Sequence, residues 1–240
     1  MAAMHPMNPE HIHEELELMG PDFASYNFEW LSTSPRWRDY YFSADQTPHY
    51  EYMKTVLKIL TWLDGDASGA KTRWVLKCPQ HLEQLPVLKK VFPEAIIPLT
   101  HRDPVAVIQW AATMVAYGRR AIRDSIDVPE IGHYWADRIY KLLEACVRDR
   151  SQIPAAQSVD IMFNEFMADA FATLEIIYEK AGLALTDKAR GELQGFMDKH
   201  PRGKYGQIAY HLKRDFDIDP AALRGKFQFY FDAFPVKVES

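Results

Sequence analysis

Apolar residues recur at helical intervals over most of the chain, and three short continuous runs break that rhythm. Met1 to Asn8 carries neither period and reads as a loop. Pro9 then opens a helical pattern, with Ile12, Leu16 and Met19 on one face and Gly20-Pro21 as the stop. Residues 23–43 are dense in aromatics, and Pro35 divides them into two short helices. A longer helix is predicted from about His49 to Leu63, with Val56, Leu57, Leu60 and Leu63 facing inward, followed by a polar loop at 65–70. The three apolar runs are Arg73 to Lys77, Ala95 to Thr100 and Ser158 to Phe163, each short enough for a buried strand. Pro98 weakens the second, because proline cannot donate to a strand ladder. Helices are predicted between and after the runs, over about 80–91, from Pro104, over 129–150, 165–181 and 187–199, and finally near 220–233. Strands alternating with helices predict an α/β protein with a parallel sheet. With no repeat and no long linker, residues 1–240 read as one domain.

Composition narrows the function classes. Apolar residues at 48% and charged residues at 25% exclude collagen-like and low-complexity chains. A net charge of −5 argues against nucleic-acid or polybasic membrane partners, although a local basic pocket remains compatible with a phosphorylated ligand. Cys78 and Cys146 fit no zinc or redox spacing, so reduced thiols and no metal are expected. No run approaches the ~18 apolar residues of a membrane span, and no apolar leader follows Met1, so a soluble, cytoplasmic protein is expected.

Ligands of open parallel sheets bind beyond the carboxyl ends of the strands. Lys77 and Arg102 stand there, each readable as a solvated strand-end charge or as an anion contact. His81 reads equally as an ordinary helix-start residue, and Glu10, Glu14 and Glu15 as a solvated acidic face.

Three segments together, Val75-Leu76-Lys77-Cys78-Pro79-Gln80-His81-Leu82, Phe92-Pro93-Glu94-Ala95 and Thr100-His101-Arg102-Asp103-Pro104, resemble the sulfotransferases that use 3′-phosphoadenosine-5′-phosphosulfate (PAPS), in particular bacterial-type members with Lys-x-Pro-x-His and His-Arg-Asp-Pro elements. The resemblance extends to the Pro9-Glu10 helix, the aromatic region and the closing Phe229 to Pro235. It implies a P-loop-like sulfotransferase fold, a parallel sheet flanked by many helices, and transfer of a sulfuryl group from PAPS as co-substrate to a hydroxyl or amine of a small-molecule acceptor. Arg102 then matches the arginine that grips the 3′-phosphate, which suits a planar guanidinium better than an ammonium. Lys77 matches the lysine beside the transferring group. His81, His5 and Glu14 become candidates to orient the acceptor or take its proton. Arg202, Gly203 and Lys204 match a loop that closes over the nucleotide phosphate.

The departures from the family pattern are specific. No strand, Gly-Ser/Thr loop and helix precede residue 65, so the first β-loop-α unit is expected to be missing, supplied by a longer reading frame or a partner, or replaced by self-association. Trp110 stands where a serine commonly helps hold the 3′-phosphate, and Asp217 where a glycine is common. A charged hydrogen bond is worth roughly 1.5–3 kcal/mol, so these losses bear on activity more than on fold. The rival readings are a catalytically inactive nucleotide-binding or protein-interaction module, and a kinase. The kinase lacks a Gly-x-x-x-x-Gly-Lys-Ser/Thr motif to support it.

Overall fold

The computed structural model describes residues 13–65, 73–201 and 211–239. Helices α1 (Leu16–Met19), α2 (Asn27–Leu31), α3 (Pro35–Ser43) and α4 (Thr47–Leu63) lead to an extended stretch, a 3-10 turn at Pro79–Glu83 and α5 (Leu85–Val91). Strand β1 (Ile97–His101) is followed by α6 (Pro104–Arg120), α7 (Val128–Asp149) and strand β2 (Ser158–Met162). Then come α8 (Phe163–Ala168), α9 (Ala170–Lys180), α10 (Asp187–Lys199), α11 (Leu212–Phe216), α12 (Pro220–Lys226) and α13 (Gln228–Ala233). The fold is α/β: β1 and β2 pair in parallel, Ile97 opposite Ser158 through His101 opposite Met162, with helices around them.

Several helix starts follow from local chemistry. Proline stands in the first turn of α3, α4, α5, α6, α7 and α12, where its missing N–H costs nothing. Asp103 caps α6 through Val105 N, Asp127 caps α7 through Glu130 N, and Asp219 caps α12 through Ala221 N and Ala222 N. The predicted core face of α6 is buried as expected, at Val105, Ile108, Ala112 and Val115.

Two expectations need correction. Arg73 to Lys77 is not a strand; Val75 is 92% exposed, and no strand pairs with this stretch among the described residues. Apolar composition gave it the look of a strand, but a strand requires a neighbouring backbone to share its hydrogen bonds. On α4 the buried face is Tyr50, Met53 and Leu57, not the one through Leu63, and α1 and α5 are helices that pack against α4. Pro98 does sit inside β1; among the described residues β1 pairs with β2 alone, so its missing donor can face away from the ladder.

Helix α7 is the central post: it packs against α6, α11, α13 and the 3-10 turn. Gly132 permits the approach of α11, since a Cβ there would meet Phe216 Cβ at 2.7 Å. Asp217, after α11, adopts a left-handed conformation (φ 54°, ψ 38°), the reason a glycine suits that position.

Arg138 of α7 is fully buried and carries the main polar contact of the interior. It donates Nη1 and Nη2 to the two oxygens of Glu83 (2.6 and 2.7 Å) and Nε to Glu29 (2.6 Å). Tyr134 Oη adds a hydrogen bond to Glu29 at 2.5 Å. Burial alone would lower the Arg138 pKa; Glu83, Tyr26 and Glu29 hold it well above its ordinary value instead. Replacing Arg138 by Met should cost about 3–5 kcal/mol, because two carboxylates would stay buried without a cation. Adding Glu29→Gln and Glu83→Gln to that variant should recover much of the loss. Urea melts of the single and triple variants check both expectations.

Candidate functional site

The first half of the site is the turn after Lys77. Pro79 starts it from an extended Cys78, and buried polar side chains fix it on both flanks. Gln80 accepts from Tyr26 N (2.8 Å) and donates to Ala24 O (2.8 Å), while Glu83 is held by Arg138. His81, between them, is thereby aimed at Glu15 and Tyr50. Its Nδ1 lies 2.8 Å from Tyr50 Oη and its Nε2 lies 2.5 Å from Glu15 Oε1. Glu15 Oε2 also accepts from Lys77 N at 2.9 Å.

The protonation pattern follows from the partners. Burial pushes the Tyr50 hydroxyl pKa well up, so it keeps its proton and donates. Burial alone would raise the Glu15 carboxyl, but the His81 hydrogen bond, with backbone amides, holds it below its ordinary 4.5. Glu15 is therefore an acceptor, and His81 carries its proton on Nε2. Both ring nitrogens are then committed to the protein. The solvent-facing members are the neighbouring ion pair, Lys77 Nζ with Glu14 Oε1; the Lys77 side chain is 76% exposed and that of Glu14 23%.

The second half lies at the carboxyl end of β1. His101 is buried, with Nδ1 2.8 Å from Tyr230 Oη and Nε2 2.9 Å from Asp160 Oδ1. Burial lowers its pKa against the pull of Asp160. Arg150 clamps Asp160 through Nε and Nη2 at 2.9 and 2.7 Å. Arg102, the next residue, stacks over Phe163 (4.2 Å from guanidinium carbon to ring centroid) and donates Nε and Nη2 to Glu239 at 2.7 and 2.8 Å. Asp103 Oδ2 accepts from Glu239 N (2.9 Å) and Arg224 Nη2 (3.1 Å). Arg102 thus holds the Glu239 carboxylate, while Arg224 and the first amide of α6 are held by Asp103.

Of the residues expected from sequence, Lys77, His81 and Glu14 come together, and Arg102 occupies the strand-end position foreseen for it. Trp110, in the second turn of α6, is 44% exposed and sets its ring edge against Trp30 (6.2 Å, 74°), which lies 4.3 Å from Trp135. His5, Arg202, Gly203 and Lys204 lie outside the described residues. Sequence reading missed Tyr50, Asp160, Arg224 and Glu239. Tyr50 was signalled only by its spacing with Met53 and Leu57 on the apolar face of α4. Cys78 and Cys146 are buried and unpaired, and burial pushes the Cys146 thiol up to about 12 and that of Cys78 higher still. Among the described residues no cluster of His, Cys, Asp or Glu could hold a metal ion, and no helix is long and apolar enough to cross a membrane.

The fold is α/β, with Arg102 at the carboxyl end of β1 and Arg150 clamped to Asp160 of β2. The chain belongs to the sulfotransferase family, whose model matches residues 1–187. Among solved structures it resembles sulfotransferase STF9 from Mycobacterium avium, at TM-score 0.83 and 24% identity over 98% of this chain. It also resembles sulfotransferase STF1 from Mycobacterium tuberculosis H37Rv, at TM-score 0.78 and 25% identity over 93% of this chain. The chain spans 61% and 56% of the lengths of those two proteins. Comparison with curated proteins gave no match.

The lowered Glu15 carboxyl makes a pH prediction. Its contribution to stability is fully present above the unfolded value of about 4.5 and is lost as pH falls through the lower folded value. Glu15→Gln should lower stability at neutral pH and flatten the acid limb below pH 4.5. Urea midpoints followed from neutral to acid pH test this; parallel acid limbs for the two proteins would contradict it.

Proposed function

We propose that the chain binds the nucleotide of PAPS through Arg102 and serves sulfuryl transfer to an acceptor hydroxyl or amine. The observation that carries this reading is the Arg102 fork at the strand end, beside the amino terminus of α6 and already engaged with two oxygens of one anion. A phosphate presents the same oxygen pair with more charge. PAPS, as co-substrate, supplies the sulfuryl group: its sulfur–oxygen bond to the 5′-phosphate breaks as a bond to the acceptor oxygen or nitrogen forms. The leaving nucleotide keeps the electron pair.

The residues of the turn divide the remaining work. Lys77, exposed and cationic, offsets charge developing on the leaving phosphate. Glu14, its solvent-facing partner, receives the acceptor proton. His81 has both nitrogens engaged by Tyr50 and Glu15, so it positions the Lys77–His81 segment and the acceptor without taking the proton itself. In a form competent for transfer, Glu14→Gln should therefore reduce kcat more than His81→Gln alters its pH dependence.

A second reading is favoured by the same contact. With Glu239 on Arg102, the chain is a catalytically inactive scaffold acting as a nucleotide-binding or protein-interaction module. Calorimetry with adenosine 3′,5′-bisphosphate separates the readings. Glu239→Gln should tighten binding by up to about fivefold by removing the competing carboxylate, and Arg102→Ala should weaken it by at least about a hundredfold, the worth of two charged hydrogen bonds. Thermal stabilisation by the bisphosphate and not by ATP with magnesium supports the nucleotide reading. No response to either ligand in both parent and Glu239→Gln would leave the interaction module as the better account.

A further inference from the structure

Arg119, in the last turn of α6, is only 6% exposed. Its Nη1 donates to Thr33 Oγ1 at 2.6 Å, in the link between α2 and α3. Its Nε and Nη2 are buried and have no hydrogen-bond partner among the described residues. These two N–H groups point the same way and form the side-on fork of a guanidinium, which fits two oxygens of one anion. Four other arginines set this same fork on two oxygens of one carboxylate: Arg102 on Glu239, Arg148 on Asp149, Arg150 on Asp160 and Arg214 on Asp215. Arg119 alone among these five has its fork covered and no Asp or Glu of the described residues within ion-pair distance. Burial, and then the charge of Arg123, lower its pKa; Glu130 and Tyr134 act on it the other way from a distance. A covered guanidinium without a counter-charge is expensive, and proteins ordinarily offset that cost with a paired anion.

We propose that Arg119 and Thr33 form an anion-binding site that takes a small molecule through a carboxylate, sulfate or phosphate group, two of whose oxygens sit on Nε and Nη2. Thr33 fixes the guanidinium plane by holding Nη1, leaving the fork to the ligand. The exposed Arg123 adds attraction for an approaching anion. At roughly 1.5 Å per residue the site lies about 22 Å along α6 from its amino end. One small anion therefore cannot occupy both this site and the Arg102 position. The ordinary alternative is that the carboxyl-terminal dipole of α6 alone compensates Arg119, in which case no anion response is expected.

Thermal melts of the whole chain in sodium sulfate and in sodium acetate, each against sodium chloride of equal ionic strength, test the proposal. The expected result is a saturable rise in melting temperature beyond that in chloride, from at least one of the two anions. It should persist in Arg102→Ala, and its apparent affinity should fall at least tenfold in Arg119→Lys, which keeps the charge and loses the fork. Thr33→Val should weaken it about threefold, and it keeps the proposal testable should Arg119→Lys fail to fold. A response to acetate alone assigns a carboxylate ligand, and one to sulfate alone a tetrahedral oxyanion. A response that chloride reproduces, or one unchanged in Thr33→Val and in whichever Arg119 variant folds, would overturn the site in favour of dipole compensation.

Discussion

Arg138 is held by partners 55 and 109 positions away in the chain, and that contact fixes where the functional turn sits. One cation faces two carboxylates inside the protein, an imbalance eased by the Tyr134 hydroxyl on Glu29 and by the rings of Tyr26 and Phe42 against the guanidinium. Apolar side chains at Glu29, Glu83 and Arg138 could pack as tightly, and such replacements often cost nothing in stability. They would not fix the rotation of the Pro79–Glu83 turn. Hydrogen bonds are directional, and the bidentate pair with Glu83, with Gln80 pinned to the Ala24–Tyr26 backbone, leaves His81 one direction to face. The geometry of Lys77, Glu14, Glu15 and His81 is thus a consequence of a charge buried in α7.

The same device appears twice. His81 sits between a tyrosine hydroxyl and Glu15, and His101 between a tyrosine hydroxyl and Asp160. In each case burial keeps the tyrosine protonated and its neighbours keep the carboxylate ionised, so the ring has one donor and one acceptor role assigned. A histidine with both nitrogens committed is a poor base and a good strut.

Local signals were legible in the sequence and distant ones were not. Asp103-Pro104 announced the start of α6, Pro35 the start of α3, and the His101 to Pro104 segment the strand end that carries Arg102. These readings depend on residues within one turn of each other. Glu83 gave no such signal, because its meaning depends on Arg138, and Arg102 gave no hint of Glu239, 137 positions on. The Arg73 to Lys77 run misled for a related reason: β-like composition specifies a side-chain pattern, whereas a strand also needs a partner that no local window contains. Tyr50 was hidden by its own success as a core residue, since an apolar helix face does not reveal that one hydroxyl on it is spoken for.

Under the proposed function, the strand-end cluster would have to serve both a closed and a ligand-bound state. Its two carboxylates differ in what they can give up. Asp103 is wholly buried at its side chain, caps α6 through Val105 N, and also accepts from Arg224 and from the Glu239 backbone. Removing it would unmake the helix start. The Glu239 side chain is 34% exposed, and its main chain is anchored to Asp103 independently of its carboxylate. The side chain can therefore swing off Arg102 while the backbone stays. An ion pair this open to water is worth about 0–1 kcal/mol, against roughly 1.5–3 kcal/mol for each charged hydrogen bond made by a phosphate. In the proposed function, a more highly charged anion would take the place of the Glu239 side chain on Arg102 while the Glu239 backbone stays on Asp103.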